Sequence, residues 1–133
     1  MDTYFSMENL FRHRCTLCQF VGGTEKKLKI INAPEILVVH LSRFTAASQK
    51  IHSFVEFTEE LSTEHIRDGN GQQMRYRLTG FITHNGSSIA EGHYIAYVRI
   101  GGKWYKANDR FITELSWDTV RALQVYVLFY ERI

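Results

Sequence analysis

The stretch EGHYIAYVRIGGKWYKANDR, residues 91–110, sets His93 at the head of one alternating apolar run and an Asn-Asp pair, Asn108 and Asp109, at the foot of the next. An imidazole held by a carboxamide or carboxylate is the base-and-orienter pair of nucleophilic catalysis. The partner fixes tautomer and ring angle, and the other ring nitrogen takes a proton from Ser or Cys. The same spacing also suits a purely structural hydrogen bond, so the question becomes which side chains can meet. With Gly101 and Gly102 as a two-residue turn, Ile100 faces Lys103 and Asn108 falls opposite Ile95. Strand side chains alternate, so Ile95 shares a face with His93. Asn108 and His93 are then diagonal neighbours, roughly 7–8 Å apart at the backbone and within side-chain reach. The same alternation sends Asp109 to the other face, with Tyr94, Ala96 and Val98. A bulge in the turn exchanges the faces.

The elements that must hold this hairpin are mostly strands. RYRLTGFITH, HYIAYVRI, KWYKA and VYVLFYERI are rich in β-branched and aromatic residues and read as four strands. Upstream, KLKII and SFVEF read as strands, and EILVVHLSRF as a central strand buried on both faces because its apolar run is unbroken. His40, inside that run, reads as a hydrogen-bonded core histidine, whereas His52 and His65 face solvent. YFSMENLFRH reads as a short helix, with Ser6 as its cap and Met7, Leu10 and Phe11 at helical spacing. SWDTVRAL reads as one or two helical turns capped by Ser116. EELSTEHIRDGNGQQM is polar, with DGNG as a turn or loop. The expected class is α+β, mostly antiparallel sheet with minor helices.

At 133 residues the chain has about the length of one domain, and 44% hydrophobic residues suffice for a real core. A formal charge of +2, with no basic block longer than EKKLK, argues against nucleic acid. No stretch reaches 18 apolar residues, and MDTYFSMENLFRHR lacks the order of a signal peptide, so membrane insertion is not expected and the location is expected to be intracellular. The two cysteines, Cys15 and Cys18, have the C-x-x-C spacing of metal or redox chemistry rather than of a disulfide scaffold. A structural zinc takes four ligands, commonly two such pairs; His13 is a conceivable third, which does not close a site.

Taken together, GHYIAYVR, KWYKANDRFIT and VYVLFYER resemble the histidine box and closing strand of the ubiquitin-specific proteases, papain-like cysteine enzymes that cleave after the C-terminal glycine of ubiquitin. APEILVVHLSRF is similar to that family's P-x-I-L-x-x-H-L-x-R-F strand. RYRLTGFITHNG is similar to the strand and loop before the histidine box, with His84 and Gly86 at the familiar places. CTLC sits where the family often has the second cysteine pair of its zinc-bearing fingers. The resemblance runs in order along nearly the whole chain. Ala107 stands in place of the usual aromatic, Arg110 in place of a small residue, and Ser42 in place of a frequent Lys.

The resemblance implies a fingers and palm portion of the papain-like fold, with 1–27 as the end of the fingers and 28–133 as the palm. It makes His93 the general base, Asn108 the third triad member and Asp109 an acidic neighbour that assists it. It makes residues 85–92 a loop over the ubiquitin tail, with Gly86, Gly92, Tyr94 and Trp104 lining the tail's channel and Gly92 leaving room for Gly-Gly. Cys15 and Cys18 become zinc ligands in the intact domain, and catalysis itself requires no cofactor. The family's Gly/Asn-rich cysteine box has no match here, and CTLC lacks its glycine loop. The nucleophile is therefore expected on an N-terminal thumb, in cis or on a second chain, and this chain alone is expected to hydrolyse nothing. The expected partners are ubiquitin or a ubiquitinated protein, and the expected location is the cytoplasm, the nucleus or both. Two alternatives stay open: a non-catalytic ubiquitin-binding scaffold of the same fold, and a protease for a ubiquitin-like modifier such as SUMO.

Overall fold

The computed structural model describes residues 6–28, 30, 32–67 and 70–133, without the side chains of 63–66. The side chain of His65, the first two residues of DGNG and part of KLKII lie outside the described residues. Two compact units divide the chain, Met1–Ala33 with Thr63–Met74, and Pro34–Ser62 with Arg75–Ile133.

In the first unit β1 (Glu8–Arg14) and β2 (Val21–Lys26) form an antiparallel hairpin with Glu8 opposite Lys26 and Arg14 opposite Val21. The expected N-terminal helix is therefore a strand. Cross-strand pairing overrides the helical spacing: Met7 and Phe11, taken as one apolar helical face, stand exposed. Arg12, at φ 64°, marks the irregularity where the register shifts between Leu10 and His13.

The second unit is built on one sheet with strand order β3 (Ile36–His40), β9 (Val125–Arg132), β5 (Gln73–Asn85), β6 (His93–Ile100), β7 (Lys103–Asn108) and β8 (Phe111–Leu115). Strand β4 (Glu60–Arg67) pairs with β5, and every other neighbouring pair is antiparallel. Several expectations change here. Strand β3 is an edge strand, not a central one: it pairs only with β9, and Ile36 and Val38 are exposed. His40 is accordingly exposed, its ring edge-on to Tyr126 at 4.8 Å. SFVEF forms no strand; Phe57 is buried while Phe54 and Val55 are exposed. The polar EELSTEHIR stretch and FITEL, neither read as a strand, supply β4 and β8, where neighbouring strands satisfy the backbone groups.

The core lies on the sheet face carrying Leu78, Phe81, Ile95, Tyr97, Trp104, Leu128 and Tyr130. The Phe81 ring stacks on Tyr97 at 4.6 Å and tilts against Trp104 at 5.7 Å and Phe57 at 5.4 Å. Each such pair adds about 0.5–1.5 kcal/mol beyond its buried area. Burial pushes the Tyr130 phenol up to about 12, so it stays neutral and donates to the Thr58 carbonyl at 2.9 Å. Helix α1 (Trp117–Arg121) sets Val120 into the core and Trp117 against Trp104. Ser116 caps it, accepting the Thr119 N–H at 3.3 Å. Ser116→Ala is expected to cost about 1 kcal/mol, read as a lowered urea midpoint with unchanged m-value.

Candidate functional site

Gly101 and Gly102 have φ of 57° and 81°, the left-handed pair that a two-residue hairpin requires. The β6–β7 register follows from it, running from Ile100 opposite Lys103 to Ala96 opposite Ala107. His93 heads β6, opposite Asn85 of β5, and Asn108 ends β7. Their side chains meet: His93 Nε2 lies 2.5 Å from Asn108 Oδ1. The amide oxygen only accepts, so Nε2 carries the proton and Nδ1 keeps its lone pair. The His93 side chain is 46% exposed, leaving that lone pair within reach of an incoming group.

Asp109 departs from the alternation expected of it. It lies just beyond β7 at φ 53°, where the chain turns into β8, and its carboxylate comes to 3.9 Å from the same His93 Nε2. The left-handed backbone ends the strand and swings Asp109 back to the His93 side. Both members of the Asn-Asp pair thus address one imidazole nitrogen, one in contact and one in reserve. Arg110 sits over the Phe111 ring, 5.2 Å from its centroid.

Tyr94 is 53% exposed and lies on the opposite face of the sheet from the core. Its ring is 4.8 Å from His84 and 6.4 Å from Tyr126, and Phe44 closes on His84 at 5.5 Å. A register shift in the β5–β9 pairing skips Tyr126 and turns its ring into this cluster. Phe44 and Tyr126 lie in motifs that the sequence reads as strands, and only the fold brings their rings to this site. The glycines beside the cluster are fixed by packing within the loop. A Cβ on Gly92 meets His84 Nε2 at 2.0 Å and the Asn85 carbonyl at 2.8 Å, and one on Gly86 meets the Glu91 carbonyl at 2.5 Å. Trp104 is not brought to this surface. It is 3% exposed, buried between Phe81 and Trp117, because its position on β7 falls under α1. A cleft of about 480 Å³ beside α1, lined by Phe54, Phe57, Trp117 and Arg121 among others, shares no residue with the His93 site.

Cys15 and Cys18 sit in the β1–β2 turn as free thiols. The backbone N–H groups of Cys18 and Leu17, and the Cys18 thiol, hold the Cys15 thiol below its usual value. Thiolate character suits metal ligation, and the pair fits two of the four positions of a structural zinc. Among the described residues no group of three or more His, Cys, Asp or Glu gathers around a point, so His13 does not extend the pair. Among the described residues, too, no helix is long and apolar enough to cross a membrane.

Comparison with known proteins bears on the whole chain. The family profile described as UCH, ubiquitin carboxyl-terminal hydrolase, matches residues 1–130. Ubiquitin carboxyl-terminal hydrolase 8 of Saccharomyces cerevisiae is 32% identical over 98% of this chain and 31% of its own length. Ubiquitin carboxyl-terminal hydrolase 25 of Arabidopsis thaliana is 34% identical over 91% of this chain and 19% of its own. Among solved structures, the SAGA DUB module of Ubp8, Sgf11, Sus1 and Sgf73 bound to monoubiquitin superposes with a TM-score of 0.81 at 32% identity, over 99% of this chain and 31% of that one. The chain therefore spans about a third or less of the length of these relatives.

Proposed function

Because the chain belongs to the ubiquitin carboxyl-terminal hydrolase family, we propose that it is the histidine-box part of a cysteine deubiquitinase, supplying the general base and its orienting amide. The observation that carries this reading is the contact of His93 Nε2 with Asn108 Oδ1 at 2.5 Å, which leaves the Nδ1 lone pair free on a half-exposed ring. The substrate is a protein or peptide joined to the C-terminal glycine of ubiquitin, in keeping with the similarity to an enzyme solved with monoubiquitin. The ring of Tyr94, beside Phe44 and Tyr126, meets the ubiquitin tail, with Gly86 and Gly92 letting the loop lie close beneath it. The first compact unit is the end of the fingers. Cys15 and Cys18 would there hold a structural zinc together with two ligands from elsewhere in the protein, steadying the hairpin without entering the chemistry. The protein acts inside the cell.

The chemistry follows from one imidazole. His93 Nδ1 takes the proton from a cysteine thiol outside this chain, and the thiolate adds to the carbonyl of ubiquitin's last glycine. Collapse expels the lysine amine, which leaves with the proton that His93 returns. His93 then deprotonates a water that attacks the acyl thioester, freeing the ubiquitin carboxylate and restoring the thiol. Asn108 keeps the ring in one plane through both transfers. Exposed Ile36, Val38, Phe54 and Ile89 support a domain that packs against further chain.

The test is hydrolysis of a ubiquitin C-terminal fluorogenic amide by the full-length protein. Asn108→Ala is expected to lower kcat by about 10–10²-fold, the equivalent of a hydrogen bond of about 1.5–3 kcal/mol to the charged ring. Asp109, 3.9 Å away, takes over part of the task. The Asn108→Ala/Asp109→Ala double variant is expected to be slower still. A double variant no slower than Asn108→Ala rules out that substitution, and full activity in both removes the orienting role.

A further inference from the structure

One buried ring is not used by the chemistry above. His84 is 3% exposed, and neither its Nδ1 nor its Nε2 makes a hydrogen bond in this fold. Instead it is walled by Tyr94 from β6, Tyr126 from β9 and Phe44, and capped by the 86–92 loop, whose Gly92 approaches Nε2 so closely that a Cβ there would fall 2.0 Å away. Gly86 approaches the other side, a Cβ there reaching 2.9 Å from Cε1. Gly92 is bonded directly to His93.

We propose that His84 is a positioning residue for His93: the neutral, unbonded imidazole is the seat on which the 86–92 loop closes, and taking up a proton unseats that loop and the start of β6 with it. An imidazolium here would bury two N–H donors with the Glu91 carbonyl alone near enough to accept from either. The charged groups around it do not welcome a cation. Lys50 donates its ammonium to the carbonyl of His84 itself, and Arg43 stands near Lys50. His40, on the far side of Tyr126, adds no negative charge. The Glu91 carbonyl, in the loop itself, favours the proton but does not outweigh burial. Desolvation first, then the Lys50 charge, hold His84 below the ordinary 6.5, with Glu91 opposing them.

The sign follows from linkage. Above 6.5 both the closed and the open loop hold a neutral ring, and pH has no effect. As pH falls from there towards the lower value of the closed state, the open form binds the proton first and closure weakens. The catalytic consequence, a misplaced His93 and a lost Asn108 contact, rests on the reading of His93 as base. The coupling itself does not, and it is measured without turnover.

The experiment is a pH titration of the intact chain labelled with ¹⁵N-histidine, following the His84 and His93 ring nitrogens together with amide-exchange protection at 86–92. Protection is expected to fall by up to about tenfold per pH unit, the limit for one proton, starting near 6.5, with the His84 ring signal changing as the open form fills. In His84→Phe, which keeps the ring stack and cannot titrate, that fall is expected to vanish. Loop protection that ignores the His84 signal in the unaltered chain, or a fall that persists in His84→Phe, overturns the proposal.

Discussion

His93→Ala in the full-length protein is expected to lower kcat for a ubiquitin amide by at least about 10²–10⁴-fold and to leave ubiquitin affinity nearly unchanged. Both halves follow from the geometry. The imidazole touches Asn108 through Nε2, and in the proposed mechanism Nδ1 serves both proton transfers and contributes little to ground-state binding. It is half-exposed at the end of a strand whose apolar members lie further along, so its loss opens no cavity. Turnover by stopped assay and affinity by titration with unmodified ubiquitin separate the two effects. Retained turnover in the purified variant removes His93 from the mechanism, and a parallel loss of affinity makes it a binding residue.

Arg43→Met is expected to destabilise the second unit by about 3–5 kcal/mol. Arg43 is 4% exposed, and its guanidinium donates to three carbonyls: Val125 through Nε, and Ile51 at 3.2 Å and Ser53 at 2.8 Å through Nη1. These contacts tie the otherwise irregular 51–58 segment to the start of β9. Burial lowers the guanidinium's pKa from its ordinary value, yet that value is so high that the charge persists. Methionine keeps the apolar stem and leaves three carbonyls without their donor. Urea unfolding followed by near-UV circular dichroism reads the change. A shift below about 1 kcal/mol would mean that the segment is held by Phe57 packing instead. Because the same strap leads to Phe44 and Lys50, its loss is also expected to loosen the aromatic cluster under Tyr94 before the β6–β7 hairpin.

How far the molecule is legible in its sequence depends on whether local rules meet tertiary ones. The β6–β7 hairpin is fully legible: Gly101-Gly102 sets the turn, the turn sets the register, and the register brings Asn108 to His93. Asp109 escapes the same reasoning because its positive φ lies one residue past the strand, where alternation has already ended. The first strand was read as a helix because three apolar residues at helical spacing cannot distinguish a short helix from a hairpin strand. Strand β3 was placed at the centre because an unbroken apolar run signals burial on both faces, yet Ile36 and Val38 are exposed on an edge. The run records which residues are apolar and not what covers them. Trp104 shares the His93 face, as alternation requires, but the face is the core itself, and only α1 reveals that. The seat beneath the 86–92 loop depends on a ring and a glycine eight residues apart in sequence, and no periodic pattern marks it.

On the proposed reading, this chain carries the base of a cysteine deubiquitinase whose nucleophile lies outside it. Labelling with ubiquitin bearing a C-terminal thiol-reactive electrophile tests that most directly, using this chain alone and then the full-length protein. An adduct is expected only in the full-length protein, on a cysteine other than Cys15 and Cys18, and a strongly slowed reaction in His93→Ala. An adduct on Cys15 or Cys18, or none in either sample, would contradict it.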